Sequence, residues 1–473
     1  MPRRTKIVAT LGPASTDRPT LERMIDAGMD VARINFSHGT VREHEKRVDL
    51  IRSLARSAGR AVGVLVDLQG PKIRIGRFEK DRVILRPGQR FILDAECKLG
   101  NSQRVGLDYA NLPRDVREGD TLLLDDGNIV LTVTEVKGPR IHTVVDEGGP
   151  LSNNKGINRK GGGLTAPALT EKDMEDIRTA ARLKADFLGV SFPRAGSDIE
   201  WARDLLHRAN GKALLVAKIE RAEAITALDD IVRASDAIMV ARGDLAVEVG
   251  DATVPALQKR MIRLSREQNK LVITATQMME SMINNPNPTR AEVSDVANAV
   301  LDGTDAVMLS GETAIGKYPV QTIRAMARVC EAAEKEQAPD RWRPGPPQSV
   351  EEAIGRATMY TAATLNIKAV AAMTQSGKTV QYMSRAFGTV PIYALSSETE
   401  TRRRVTLFRG VYPINFKGEP DPERALNMAE DELLKRGAVQ NGDFIVLTIG
   451  EPYGKAGGTN TMKIVKVGEH RKR

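Results

Sequence analysis

Lys218 and Glu220 stand two residues apart at the end of the apolar run Leu214 to Lys218, so on an extended chain both side chains leave one face. Asp244 follows the next such run, in Ala241-Arg242-Gly243-Asp244, and converges with them if the two runs are neighbours. Two carboxylates with open coordination positions suit Mg²⁺, a hard cation that takes oxygen ligands and keeps room for water and substrate. An ammonium beside them offsets the charge on a phosphoryl group in transfer. The same three residues could instead form a structural ion pair network.

A second cluster holds donors. Arg33, Asn35, Ser37 and His38 lie in Arg33-Ile34-Asn35-Phe36-Ser37-His38-Gly39, and Asp67 and Arg74 follow on the next run and its exit. Arginines grip phosphate through paired donors. Singly, each residue reads as a loop cap or a solvated charge; together they suggest a platform for nucleotide and phosphate. Thr374-Gln375-Ser376-Gly377-Lys378-Thr379 offers hydroxyls and backbone donors that could hold a phosphate at a helix N-terminus, or serve as an ordinary cap. Gly311 to Tyr318 nearly matches a phosphate-binding loop, but Tyr318 stands where Ser or Thr is needed for Mg²⁺. That stretch reads as a loop entering a helix.

The elements that position these residues are short, β-branched apolar runs separated by helix-like segments. Eight are evident: Lys6 to Ala9, Val31 to Phe36, Val62 to Asp67, Phe187 to Ser191, Leu214 to Lys218, Ala237 to Ala241, Leu271 to Ala275 and Ala306 to Leu309. Buried parallel strands alternating with helices predict an α/β fold, here a (β/α)8 TIM barrel over residues 1–70 and 168–343. Polar residues gather where the runs end, as they do at the catalytic face of such barrels. Ser310 and Glu312, after the last run, are candidate proton donors. Between runs three and four, residues 71–167 switch to short β-like pieces with a turn at Asp125-Asp126-Gly127-Asn128, which predicts an inserted small β-barrel lid domain. Gly161-Gly162-Gly163 near its exit suggests a flexible joint. Pro344-Gly345-Pro346-Pro347 marks a linker, and residues 348–473 read as a C-terminal α/β domain with strands at Val370 to Met373, Ile392 to Leu395, Phe444 to Ile449 and Ile464 to Val467.

Composition narrows the function. The net charge is 70 − 61 = +9. Arg3, Arg4, Lys6, Arg471, Lys472 and Arg473 account for most of it, and aromatics are 4%, so no nucleic-acid platform is expected. No apolar run approaches the roughly eighteen residues of a membrane span. Two distant cysteines, Cys97 and Cys330, point to a reducing cytoplasm.

Taken together, these residues resemble the pyruvate kinase family. The likeness rests on Arg33 to Gly39, Lys218-Ile219-Glu220 and Ala241 to Asp244, and runs over essentially the whole chain through Thr5 to Pro13, Asp67 to Arg74, Ser152 to Asn158, Ala275 to Ser281 and Asn298 to Thr313. It implies transfer of the phosphoryl group of phosphoenolpyruvate to ADP, giving pyruvate and ATP in glycolysis. It implies that Glu220 and Asp244 hold Mg²⁺, or Mn²⁺ in its place. Arg33, Lys218, Gly243, Asp244 and Thr276 would contact substrate, with Lys218, Arg33 and Thr276 catalytic. Asn35, His38, Arg74 and Lys155 match nucleotide-side positions. Thr374, Ser376, Lys378 and Thr379 match the phosphate loop of an effector site, which implies a phosphorylated small-molecule effector. A homotetramer is also implied.

Three departures from the family pattern stand out. An N-terminal helical segment found in some members is expected to be absent. Ala246 stands where glycine is common, which affects the turn after Asp244. Asn35, Ser37 and Asp67 match monovalent-cation ligands, yet Lys72 replaces the glutamate of potassium-dependent members, so no potassium requirement is expected. A barrel lyase or aldolase acting through a metal enolate would use the same carboxylates without a nucleotide. The lid and Arg74 argue against it.

Overall fold

In the computed structural model, β-branched runs become strands because both of their faces are covered. The model describes residues 2–336, 345–386, 388–419, 421–451 and 457–469. Strand β1 (Lys6–Thr10) is buried at every residue, as is β3 (Gly63–Asp67), while β2 (Val31–Asn35) turns Arg33 and Asn35 toward a partly open surface.

The chain then leaves for the insertion. Its strands are β4 (Arg82–Leu85), β5 (Arg90–Asp94), β6 (Arg104–Val105), β7 (Thr121–Leu124), β8 (Ile129–Lys137), β9 (Arg140–Glu147), β10 (Gly149–Ser152) and β11 (Ile157–Arg159). Six form a sheet in the order β11-β7-β8-β9-β5-β6, and β4 pairs with β10. The segment from Arg74 to Phe78 bridges to Gly156 beside β11, and to Leu107 and Gly100 beside β6, so it spans both open edges. The lid has its own core around Phe91, Leu122, Leu131 and Ile141. In the β7–β8 turn, Asp125, Asp126 and Gly127 take φ of 52°, 57° and 91°, left-handed values that aspartate and glycine tolerate. At the exit, the three glycines also take positive φ, and a Cβ on Gly162 would fall 2.6 Å from the Glu223 carboxylate. Gly161 N–H donates to the Glu248 carbonyl at 3.1 Å and Gly163 N–H to the Glu223 carboxylate. The joint is therefore a turn bonded to the barrel.

Five further strands, β12 (Phe187–Val190), β13 (Leu214–Ile219), β14 (Ala237–Ala241), β15 (Leu271–Ala275) and β16 (Ala306–Leu309), complete a closed parallel barrel in the order β1-β16-β15-β14-β13-β12-β3-β2. The adjacency of β13 and β14 brings Lys218 and Asp244 to neighbouring strand ends. Around it, amphipathic helices such as Val41–Ser57, capped by Thr40 and burying Val48, Ile51 and Leu54, fill the outer layer.

The C-terminal domain is a five-stranded sheet, β19 (Val411–Asn415), β18 (Ile392–Ser396), β17 (Ile367–Met373), β20 (Phe444–Gly450) and β21 (Thr459–Lys466), in that order, with β21 antiparallel. Strand β19 has no counterpart in the sequence reading: Pro413 interrupts its pattern, and an edge strand tolerates proline. Strand β21 begins five residues earlier than the expected Ile464, because one of its faces is largely exposed and carries polar residues. Barrel-interior residues Val8, Leu65, Phe187, Met239 and Ile273 share one apolar cluster with Val370, Val380, Met383 and Phe408 of this domain. Pro344 of the expected linker lies outside the described residues, as do Arg471, Lys472 and Arg473.

Candidate active site

Lys218 is the last inward-facing residue of β13, and Glu220 directly follows that strand. The Lys218 ammonium donates to Ser191 Oγ at 2.8 Å, lies 2.9 Å from Glu220 Oε1 and 3.4 Å from Asp67 Oδ1. Burial works to lower the Lys218 ammonium. The carboxylates of Asp67 and Glu220 overcome that and push it up to about 12. Burial raises Glu220; Lys218 opposes this and Asp244 adds to it. Burial also works to raise Asp67, but Lys218 and Arg33 carry it below its usual range.

On β2, Arg33 donates through Nε to Asp67 Oδ2 at 2.7 Å and through Nη1 to Thr10 Oγ1 at 2.9 Å. Arg33, Asp67, Lys218 and Glu220 thus form one continuous charged array, as the strand ends suggested.

Asp244 sits in the first turn of the helix Arg242–Val249, which begins as β14 ends. That helix runs through Ala246, whose carbonyl accepts from Gly250 N–H at 2.9 Å, so alanine at this place leaves the helix intact. Gly243 N–H donates to Thr276 Oγ1 at 2.9 Å. Thr276 and Gln277 take φ of 67° and 52°, a strained pair for a β-branched residue followed by a long one. Arg242 holds that strain in place, donating to the Thr276 carbonyl at 2.6 Å and pairing with Asp295 at 2.7 Å. Arg242 was visible in the sequence only as part of the stretch that follows its run, and Asp295 was not singled out; 53 residues separate the pair, and no spacing signals it. Ser191 was visible only as the end of its run. Glu312 accepts from Met279 N–H at 3.1 Å and Ser310 N–H at 2.6 Å, so its carboxylate ties together the loops after β15 and β16.

Lys72 meets Asp244: its ammonium lies 2.9 Å from Asp244 Oδ1 and 3.7 Å from Asp126 of the lid turn. Burial lowers Lys72, but Asp244 outweighs it and raises the ammonium above its ordinary value. No hydrogen bond or ion pair joins Lys72 to Asn35, Ser37 or Asp67 among the described residues. The Asn35 side-chain oxygen accepts from Ser37 N–H at 3.0 Å, and His38 is exposed. Arg74 and Lys155 lie together on the lid, where Ile75 N–H donates to the Lys155 carbonyl at 2.9 Å and Lys155 pairs with Asp125 at 2.6 Å. No hydrogen bond or ion pair among the described residues joins these lid cations to Asn35 or His38.

The donor set fits a hard divalent cation. Glu220 and Asp244 supply carboxylate oxygens, and buried Asp67 Oδ1 has no hydrogen-bond partner. No group of three His, Cys, Asp or Glu side chains that could hold a metal occurs among the described residues, so water and substrate would have to complete the coordination of an ion on the two carboxylates.

In the C-terminal domain, Gly377 takes φ 85° ahead of the helix Lys378–Arg385, and its N–H donates to Thr374 Oγ1 at 2.9 Å. A cleft of about 490 Å³ opens here, lined by Thr374, Ser376, Thr379 and Ser397. The Lys378 ammonium lies over the Tyr382 ring, 6.0 Å from its centroid, and does not line that cleft.

Comparison with known proteins identifies the family. Residues 2–323 match the family model for the pyruvate kinase barrel domain, and residues 352–465 match that for the pyruvate kinase alpha/beta domain. The chain is 51% identical to pyruvate kinase II of Salmonella typhimurium, over 98% of this chain and 99% of that protein. It is 51% identical to a pyruvate kinase of Haemophilus influenzae, over 95% and 96%. A crystal structure of a pyruvate kinase from Cryptosporidium parvum superposes with a TM-score of 0.91 at 33% identity, covering 98% of this chain and 96% of that one. With family models matched over residues 2–323 and 352–465 and a relative 51% identical over 98% of this chain, the chain belongs to the pyruvate kinase family.

Proposed function

We propose that Lys218, Arg33, Thr276 and the Glu220–Asp244 pair carry the chemistry of this phosphotransferase. The enzyme moves the phosphoryl group of phosphoenolpyruvate to ADP. The bond from phosphorus to the enol oxygen breaks, a bond to the terminal ADP oxygen forms, and the released enolate takes a proton to become pyruvate. The observation that carries the assignment is a protonated, buried Lys218 hemmed by Asp67 and Glu220 at the catalytic end of the barrel. With a pKa of about 12, it stays cationic throughout neutral pH and faces charge that builds in the transition state. Arg33, held by Asp67 and Thr10, presents its remaining donors to the substrate phosphate. Gly243 and Thr276 orient the substrate from the next two strands. Glu220 and Asp244 would hold Mg²⁺, or Mn²⁺ in its place; when bound, it neutralises phosphoryl oxygens and fixes their geometry. Asn35, His38, Arg74 and Lys155 receive the nucleotide from the barrel side and the lid side.

Lys72 makes a monovalent cation unnecessary. Its ammonium already places a single positive charge on Asp244. The Thr374 to Thr379 loop binds a phosphorylated effector through Thr374, Ser376 and Thr379 and its backbone donors, with Lys378 swinging in from Tyr382. The active form is a homotetramer in the cytoplasm, the latter on cysteine usage. No helix among the described residues is long and apolar enough to cross a membrane. The test of the site is the appearance of pyruvate from phosphoenolpyruvate only when ADP and Mg²⁺ are both supplied. Pyruvate formed without ADP would point instead to a lyase or phosphatase.

A further inference from the structure

A cleft of about 790 Å³ lies where the N-terminal end of the barrel meets the C-terminal domain, and five arginines line it without one acidic side chain. Arg52 and Arg56 stand one turn apart on the helix Val41–Ser57, and Arg60 lies just beyond it. Arg402 and Arg403 come from the helix Thr399–Arg404 of the other domain. The nearest carboxylates are already engaged. Asp186 accepts from Arg403 Nε at 2.8 Å, and Asp30 pairs with Arg3 at 2.8 Å while Arg60 stays 3.8 Å away. Arg402 uses Nη1 on the Ser396 and Ser397 carbonyls and on Asn415, at 2.7–2.8 Å, and Nη2 reaches Thr399 Oγ1 at 3.0 Å, while its Nε bonds nothing and no carboxylate lies within 4.0 Å of it among the described residues. Arg56 has no ion pair among the described residues. Arg52 donates to the Lys184 carbonyl at 2.7 Å, yet its Nε is buried with no partner.

Such a cluster opposes itself. Like charges one helical turn apart repel, and docking the two domains adds Arg402 and Arg403 to the same space. Burial, then Arg403, depresses the Arg52 guanidinium against the pull of Asp186 and Asp49; burial also depresses Arg402, which Glu398 opposes and Arg403 reinforces. A buried donor left unpaired costs free energy. A tetrahedral oxyanion removes both penalties, because guanidinium forks match phosphate oxygens in pairs. The volume falls in the range of small-ligand pockets, and the lining shares no residue with the Thr374 to Thr379 cleft.

We propose that this cleft binds a small phosphate-bearing anion that ties the C-terminal domain to the barrel. The anion bonds Arg52 and Arg56 on one side and Arg402 on the other, at the end of the barrel opposite the catalytic residues. The deciding experiment uses the full chain without Mg²⁺. Inorganic phosphate, a hexose monophosphate and a nucleoside monophosphate are each titrated calorimetrically, with KCl at matched ionic strength as control. Expected, beside any binding at the Thr374 to Thr379 loop and the catalytic end, is a class of phosphate site that Arg56→Gln/Arg402→Gln weakens by about tenfold, the scale of losing one or two charge-assisted hydrogen bonds. Tighter binding of either ester than of inorganic phosphate at the site that the double variant weakens identifies an organic phosphate as the occupant. Amide hydrogen exchange at residues 399–404 should slow on phosphate addition in the wild type and not in the variant. Turnover of the variant without added ester should stay within about twofold, since none of these residues lies at the catalytic end. Equal phosphate affinity and stoichiometry in both proteins, or the same protection from KCl, overturns the proposal. Should the double variant fold poorly, Arg56→Gln alone decides by the same titration, because its exposed side chain has no carboxylate to lose.

Discussion

Replacing Lys72 with glutamate reverses the charge beside Asp244, and the structure sets the scale of the effect. At 2.9 Å and an effective dielectric of 20, the existing attraction is about 6 kcal/mol. Exchanging it for a repulsion of like size makes a gross change of about 11 kcal/mol. Most of that will not reach the rate. The Lys72 side chain is 24% exposed, and a shorter glutamate can turn toward water. A tenfold effect needs about 1.4 kcal/mol, roughly an eighth of the gross change. Lys72→Glu is therefore expected to lose at least about tenfold in turnover when tetramethylammonium is the sole monovalent cation. Potassium should restore much of it, because it returns the single charge that the ammonium supplied. The unaltered enzyme should change by less than about twofold over the same titration. Initial rates of pyruvate formation at fixed ionic strength read both outcomes. A tenfold activation of the unaltered enzyme by potassium, or a Lys72→Glu enzyme indifferent to it, refutes the reasoning.

Lys218→Met should fold and bind Mg²⁺ normally yet turn over about a thousandfold more slowly, the scale of one lost transition-state contact; a loss under tenfold in steady-state assays removes Lys218 from its role. Glu220→Ala and Asp244→Ala should each move the Mg²⁺ activation curve to concentrations about tenfold or more higher, and an unchanged curve in both would put the metal elsewhere. His44 stacks on Phe36 with ring centroids 4.4 Å apart, and burial, then Arg47, pushes its imidazole down to about 4. The fold keeps it neutral where the unfolded chain, near the ordinary 6.5, takes a proton, so stability falls as pH drops from 6.5 toward 4. His44→Gln should shrink the decrease in melting temperature between pH 7 and pH 4.5, and an identical decrease would show that the imidazole contributes nothing. Arg385 and Asp305 form a buried pair between the domains, with Nη1 to Oδ2 at 2.7 Å. Asp305→Asn leaves that guanidinium short of its counter-charge and should cost about 3–5 kcal/mol in denaturant unfolding; a cost under 1 kcal/mol would show that the pair is replaceable.

The barrel was legible because its strands are buried on both faces and so read as unbroken apolar runs. Lys218 and Glu220 were legible as a strand-end pair because charged residues stand out at the end of an apolar run, although the sequence left a structural ion pair network as the alternative. What escaped was of a different kind. The Arg242–Asp295 pair and the left-handed Thr276 depend on loops meeting after the fold has formed, and no local pattern encodes either. Strand β19 was hidden by Pro413, and β6, β10 and β11 are too short to show a period of two. Lys72 could be recognised as unusual from the sequence, but its partner lies 172 residues away, and the contact exists because the lid entry passes over the mouth of the barrel.

The apolar cluster shared by the barrel interior and the C-terminal domain bears on how this chain can be made and cut. Val8, Leu65, Phe187 and Met239 belong to β1, β3, β12 and β14, yet they share their apolar cluster with Val370, Val380 and Met383, residues translated long after those strands. A ribosome that has released all eight barrel strands still holds a barrel with an open floor. That intermediate exposes aliphatic surface until Met383 emerges, and it is the state in which a chaperone would find something to bind. A protease nick in the interdomain linker would be tolerated for the same reason: the cut chains have nowhere better to bury these side chains than against each other.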